Sequence, residues 1–195
     1  MVFEKDKERY MNKFGKSDRS RIGLPDPQIV TLLDAINVRE EYYTTSSCAG
    51  RISIMQLSPD KKKYNTKWLF ISHNDISSSD DMIPILHLKK EEEGYELWFK
   101  MESPILHVCA CDIKSAQKLL SLAQQAGLKH TGIISTSRRV MLEIYDTTRV
   151  DALLAHNGKM LVDDEYIKII TDIANEKLAL TRKRMTKLEM LIAKL

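Results

Sequence analysis

Two apolar runs, Ile52 to Leu57 and Trp68 to Ser72, flank a turn built from Pro59, Asp60 and the triplet Lys61-Lys62-Lys63. Strand-length segments joined by so short a polar connection pair as an antiparallel hairpin, because a parallel return needs a longer crossover, usually a helix. Two further strands follow where Tyr95, Leu97 and Phe99 alternate with Glu96, Trp98 and Lys100 and where Ile105 to Cys111 is apolar. Thr131 to Ser135 and Val140 to Tyr145 read as strands around Arg138-Arg139.

Helices lie between and around these runs. Phe3, Tyr10, Met11 and Phe14 form one amphipathic stripe that Gly15 ends. Asp26 before Pro27 reads as an N-cap with proline at the first helical position, and Ile29, Val30, Leu32, Leu33 and Ile36 give a buried face ending near Asn37. Ala116 to Ala126 traces a helix closed by Gly127, and a long helical pattern runs from about Asp163 to Leu195. Asp80 to Leu88 is ambiguous around Pro84. Strands and helices without βαβ alternation place the chain in the α+β class, with a mixed or antiparallel sheet flanked by helices and a long C-terminal helix.

At 195 residues, 43% hydrophobic, the chain reads as a single domain, 1–195, with no linker long enough to divide it. Lys and Arg outnumber Asp and Glu by 30 to 27, too small a surplus to imply a polyanionic partner by itself. No apolar run reaches the ~20 residues of a membrane span, and no leader-like start is present. Cys48, Cys109 and Cys111 lack C-x-x-C spacing, which points to a cytoplasmic protein without a metal site. There is no G-x-x-x-x-G-K-[ST], no G-x-G-x-x-G and no H-E-x-x-H, which argues against a standard ATPase, a Rossmann enzyme and a zinc module.

Three features remain as candidates for chemistry. Thr44 to Arg51 combines small hydroxyl and thiol residues with Gly50 and the planar donor fork of Arg51, a composition that lets backbone approach a ligand. The competing reading is a tight connection into a strand satisfied by its own hydroxyls. His73 ends one strand run and His107 interrupts another, and either is a general-base candidate. Cations cluster at Lys13, Lys16, Arg19 and Arg21, at Lys61 to Lys63, at Arg138-Arg139 and along the last helix, which suits an RNA backbone or a solvated surface.

The run Thr44-Thr45-Ser46-Ser47-Cys48-Ala49-Gly50-Arg51-Ile52 resembles the signature of the tRNA wybutosine-synthesizing family that acts third in its pathway, the N4-methyltransferases of 4-demethylwyosine. The likeness extends through Ser17-Asp18-x-Ser20-x-x-Gly23, Asp26, Asn37, Trp68-x-x-x-Ser72-His73, Phe99-Lys100-x-Glu102-x-Pro104-Ile105-Leu106-His107-Val108, Gly127-x-Lys129-x-x-Gly132-Ile133, Glu165-Tyr166 and Ala174-Asn175-x-Lys177. The resemblance implies methyl transfer from S-adenosylmethionine to an imidazopurine nitrogen of the modified guanosine 3′ of the tRNA(Phe) anticodon, on a fold other than the Rossmann methyltransferase. It implies His107, then His73, as the group that takes up a proton. Ser46, Ser47, Cys48, Gly50, Arg51, Gly132 and Ile133 are expected at the cofactor, and Lys16, Arg21, Thr45, Arg138 and Arg139 along the anticodon stem-loop, with no metal, DNA or membrane involved. The alternative is a tRNA-binding or scaffold protein of the same pathway that performs no catalysis.

Overall fold

The structure is a computed structural model that describes residues 2–12, 26–76, 81–88 and 94–195. In chain order the elements are α1 (Val2–Met11), α2 (Val30–Asn37), β1 (Tyr42–Cys48), β2 (Arg51–Leu57), a 3-10 turn (Lys63–Asn65), β3 (Lys67–Ser72), α3 (Ile83–Leu88), β4 (Glu96–Glu102), β5 (Ile105–Ala110), α4 (Ile113–Ala126), β6 (Gly132–Ser135), β7 (Val140–Tyr145), β8 (Val150–His156), β9 (Lys159–Met160) and α5 (Asp164–Ala193). They form two compact units, Met1–Ala49 with Pro104–Thr147 and Thr181–Leu195, and Gly50–Ser103 with Thr148–Leu180. The chain passes between them in the short connections after β1, β4 and β7 and inside α5. The crossings at Ala49-Gly50 and Ser103-Pro104 join strands within two residues and the last lies inside a helix, so the sequence shows no linker there.

The first unit holds a four-stranded antiparallel sheet in the order β1-β5-β7-β6. Its core joins Leu106, Val108 and Ala110 of β5 and Leu142 and Ile144 of β7 to Ile29, Leu32, Leu33 and Ile36, to Ala116, Leu119 and Ala123 of α4, and to Met185, Leu188 and Ile192 of α5. The α4 boundaries follow local chemistry. Asp112 accepts the Ser115 N–H at 2.7 Å, a bond that holds its carboxyl below the usual range, and Gly127 closes the helix at φ 102°.

The second unit holds a five-stranded antiparallel sheet in the order β3-β2-β4-β8-β9. Ile52, Ile54, Leu97, Phe99 and Met101 turn to a core that includes Ile167, Ile170, Ala174 and Leu178 of α5. Asn175 clips the Ile76 backbone from both sides, its amide donating to the carbonyl at 2.7 Å and its oxygen accepting the N–H at 3.0 Å.

The α+β class, the antiparallel sheets and the long C-terminal helix agree with the expectation from sequence. Several local readings change. Thr44 to Cys48 belongs to a strand rather than a connection, because β5 supplies a ladder that no local propensity announces. Asp26 caps a turn, accepting the Gln28 N–H at 3.2 Å, and the helix itself begins at Val30. β8 and β9 had no reading, since Val150-Asp151-Ala152-Leu153-Leu154 lacks clean alternation and a bulge shifts its register against β4 at Leu97/Trp98. Phe14 and the Ser17 to Gly23 segment lie outside the described residues.

Candidate active site

Because strand side chains alternate, the residues of β5 that face away from the first unit's core are Ile105, His107 and Cys109. Strand pairing sets His107 directly opposite Ser46 of β1 on one side and Glu143 of β7 on the other, and Glu143 opposite Gly132 of β6. Ser46, His107, Glu143 and Gly132 therefore form one row across all four strands. Ser46 Oγ lies 2.9 Å from His107 Nδ1, and Glu143 Oε2 lies 3.0 Å from His107 Nε2. A carboxylate can only accept, so Nε2 carries hydrogen toward Glu143 and Nδ1 of the neutral ring is free to accept from the Ser46 hydroxyl. Ser46 is exposed, and about 30% of the His107 and Glu143 side-chain surfaces is open to solvent (29% and 31%). The row ends in open space, since a Cβ at Gly132 would meet no heavy atom within 4 Å.

The alignment of Ser46 depends on one extra residue. Thr44 pairs with Val108 and Ser46 with His107, which leaves Thr45 as a β-bulge whose hydroxyl donates to the His107 carbonyl at 3.3 Å. Without the bulge, Thr45 would stand opposite His107. The strand is anchored just before it: the Asn37 amide donates to Thr44 Oγ1 at 2.9 Å and its oxygen accepts the Thr44 N–H at 2.8 Å, all buried.

The remaining expected residues divide between the units. Ser47 and Cys48 continue β1, half-buried, opposite Leu106 and Ile105. The Ile133 side chain packs on the core, so its backbone alone lies beside Gly132. Gly50, Arg51 and His73 belong to the second unit. Gly50 adopts φ 82°, which favours glycine, and its carbonyl lies 3.0 Å from His73 Nδ1. Arg51 already has partners: its Nε donates to Glu102 at 2.5 Å, and its guanidinium lies 4.6 Å above the Trp68 ring.

Lys16 and Arg21 fall outside the described residues. Arg138 and Arg139 are adjacent and unlike. Arg139 grips Asp6 of α1 through two nitrogens, at 2.8 and 2.7 Å, and lies over the Tyr10 ring at 5.7 Å, a hold that raises its guanidinium above the usual range. Arg138 is exposed and has no charge partner among the described residues. A cavity of about 200 Å³ opens beside the pair.

Glu143 was legible and missed. It is the one charged residue inside the apolar run Val140 to Tyr145, the same signal that singled out His107. Asp6 and Tyr43 carried no such signal, because their roles depend on where α1 docks.

The chain matches the family described as methyltransferase TYW3 over residues 5–194. A protein of Methanocaldococcus jannaschii named tRNA(Phe) 7-((3-amino-3-carboxypropyl)-4-demethylwyosine(37)-N(4))-methyltransferase is 40% identical, covering 94% of this chain and 93% of the relative. A Pyrococcus horikoshii protein of the same name, numbered 1, is 39% identical over 87% of this chain and 85% of its own length. The solved structure of the PH1069 protein from Pyrococcus horikoshii superposes with a TM-score of 0.84 at 37% identity, covering 97% of this chain and 95% of that one. With the family signature spanning both sheets and all but the ends of the chain, this protein belongs to the TYW3 methyltransferase family.

Proposed function

We propose that this chain transfers a methyl group from S-adenosylmethionine to N4 of the imidazopurine ring of 4-demethylwyosine, 3′ of the tRNA(Phe) anticodon. The observation that carries the reading is the hydrogen-bonded row of Ser46, His107 and Glu143 on a solvent-facing sheet surface, in a chain of a methyltransferase family. When bound, S-adenosylmethionine supplies an electrophilic methyl group on sulfonium sulfur. A ring N–H that accepts a methyl must shed its proton. Ser46 Oγ is the exposed end of a path for it: the hydroxyl takes the acceptor's proton as its own passes to His107 Nδ1, and Glu143 balances the resulting imidazolium through Nε2–H. Positioning carries the rest, since in-line approach needs no other proton movement.

The residues present suit a donor with a ribose and polar arm. Ser46 and Cys48 offer a hydroxyl and a thiol on the His107 face of β1, with Ser47 on the opposite face, and the open space at Gly132 admits a ligand against the Gly132-Ile133 backbone. Gly50 and Arg51 belong to the second unit, where Arg51 would have to exchange Glu102 for a ligand carboxylate to act as a ligand contact. On the RNA side, we assign Lys16, Arg21 and Thr45 to the anticodon stem-loop; Arg138, expected beside them, is assigned to an arm of the bound ligands rather than to a backbone phosphate, with Arg139 supporting it through α1. An anticodon loop presents unpaired bases, so no duplex has to be opened. We further propose that residues 1–195 act as one catalytic module.

The test is calorimetric titration with S-adenosylmethionine followed by single-turnover transfer of labelled methyl to tRNA(Phe) carrying the demethylated base. Donor binding with transfer is expected. Tight tRNA binding without transfer would instead make the chain a scaffold of the pathway.

A further inference from the structure

We propose that the cavity beside Arg138 and Asp6 binds an α-amino-acid terminus, a carboxylate and an ammonium on one carbon, one row along the sheet from His107. The proposal rests on the methyl-transfer reading above. Such a terminus has two sources in that reaction: the arm of the methyl donor, and the 3-amino-3-carboxypropyl group in the substrate names of the relatives.

Position is the first argument. The pairing that aligns Ser46, His107 and Glu143 next aligns Tyr43, Cys109 and Met141. Two residues along a strand is roughly 7 Å, so the second row lies within the length of an amino-carboxypropyl arm from the first. Tyr43 and Cys109 of that row line the cavity together with Asp6, Thr136, Ser137 and Arg138. Its volume, about 200 Å³, exceeds the ~30 Å³ share of a water several-fold.

Charge and hydrogen-bonding capacity are the second. Arg138 is exposed and has no charge partner among the described residues, so its fork is open to a carboxylate. Asp6 is 14% exposed; its Oδ2 receives Arg139, while among the described residues its Oδ1 has Arg9 at 3.6 Å and retains room for an ammonium. Tyr43 is fully buried, and its hydroxyl has no oxygen or nitrogen partner among the described residues, the Cys109 thiol being its polar neighbour. Burial, then that thiol, pushes the hydroxyl upward, so it stays a neutral donor. A donor held by a weak thiol acceptor, an open guanidinium and a half-occupied carboxylate complement a zwitterion. A phosphate would place its charge against Asp6.

The experiment titrates S-adenosylhomocysteine and 5′-methylthioadenosine, which lacks the arm, into wild type and Arg138→Ala, and measures methylation of tRNA with and without the arm on the base. Wild type is expected to prefer the arm in one pair, and Arg138→Ala to shrink that preference about tenfold to a hundredfold, the range of a lost bond to a charged group, with the thermal midpoint unchanged. Collapse in the nucleoside pair assigns the cavity to the donor, and collapse in the tRNA pair assigns it to the base. Survival of both preferences overturns the proposal, as does collapse with Arg51→Ala in place of Arg138→Ala. Uniform weakening of all tRNAs with a flatter salt dependence also overturns it and makes Arg138 a phosphate contact. A wild type that binds no S-adenosylhomocysteine and methylates nothing removes the underlying reading, visibly before any variant is compared.

Discussion

The two sheets share an antiparallel plan and differ in what their outward faces do with charge. On β2, β4 and β8, Arg51 pairs with Glu102 and Lys100 with Asp151, and Lys61 of the β2–β3 connection reaches Glu96. Arg51 and Lys100 also lie over Trp68 and Trp98, at 4.6 and 5.9 Å. Those cations are spent on neighbours. On β1, β5 and β7 the outward face instead strings Ser46, His107 and Glu143 into a path that ends in an exposed hydroxyl, and the cavity at the next row is lined by an arginine with no charge partner among the described residues. The lesson is that a cation's value for ligand binding depends on whether the pleat gives it an acid across the strand. Arg51 and Arg138 look equivalent in the sequence and are not equivalent in the fold.

The largest test of that contrast is a pair of histidine changes. His107→Ala is expected to slow single-turnover methyl transfer by about 10²- to 10⁴-fold, the usual contribution of a positioned proton acceptor, without loss of folding. His73→Ala, on the other sheet, is expected to change it by a few-fold at most. Equal losses would erase the functional difference between the sheets.

Next in size is Arg139→Ala, which takes from Asp6 of α1 its close partner on the sheet. A cost of about 2 kcal/mol is expected, a drop of roughly 4–8 °C in the melting midpoint for a chain of this size. Arg138→Ala should leave the midpoint in place. If the two arginines behave alike in a thermal melt, the division into a structural and a free cation fails.

Arg51→Ala removes a half-exposed ion pair and a cation–π contact, together worth about 1 kcal/mol. Its effect on S-adenosylmethionine affinity sharpens the comparison: a small change keeps Arg51 with Glu102, and a tenfold loss makes it a ligand contact after all.

The smallest effect concerns acid. The Trp98 indole N–H, donating at 2.9 Å, and then Lys61 hold the Glu96 carboxyl below its ordinary value of 4.5. A depressed carboxyl stabilises the folded state above that ordinary value, and the contribution disappears as pH falls below it through the folded value. Glu96→Gln should therefore lower stability at neutral pH slightly and flatten the acid limb of a stability profile below about pH 4.5. An acid limb identical to wild type would remove Glu96 from the charge economy of the second sheet.

What local chemistry could reach, the sequence determined by itself. The Pro59-Asp60 turn forced β2 and β3 into a hairpin, Asp112 and Gly127 bounded α4, and the acidic start and apolar period of α5 made one helix of 30 residues. Each of these depends on contacts within a few residues, and periodicity records such contacts. The signature from Thr44 to Arg51 was also legible as a special segment, though not as a strand, because a ladder partner 60 residues away leaves no mark on local propensity.

Tertiary structure alone decided which of those special residues meet. Ser46 and His107 are separated by 61 positions, His107 and Glu143 by 36, and Asp6 and Arg139 by 133. The Thr45 bulge chooses Ser46 over Thr45 as the partner of His107, and that choice exists only once β1 is registered against β5. Side-chain identity sets what a residue can donate or accept, whereas strand register sets what stands opposite it, and register comes from burying one face of the sheet as a whole.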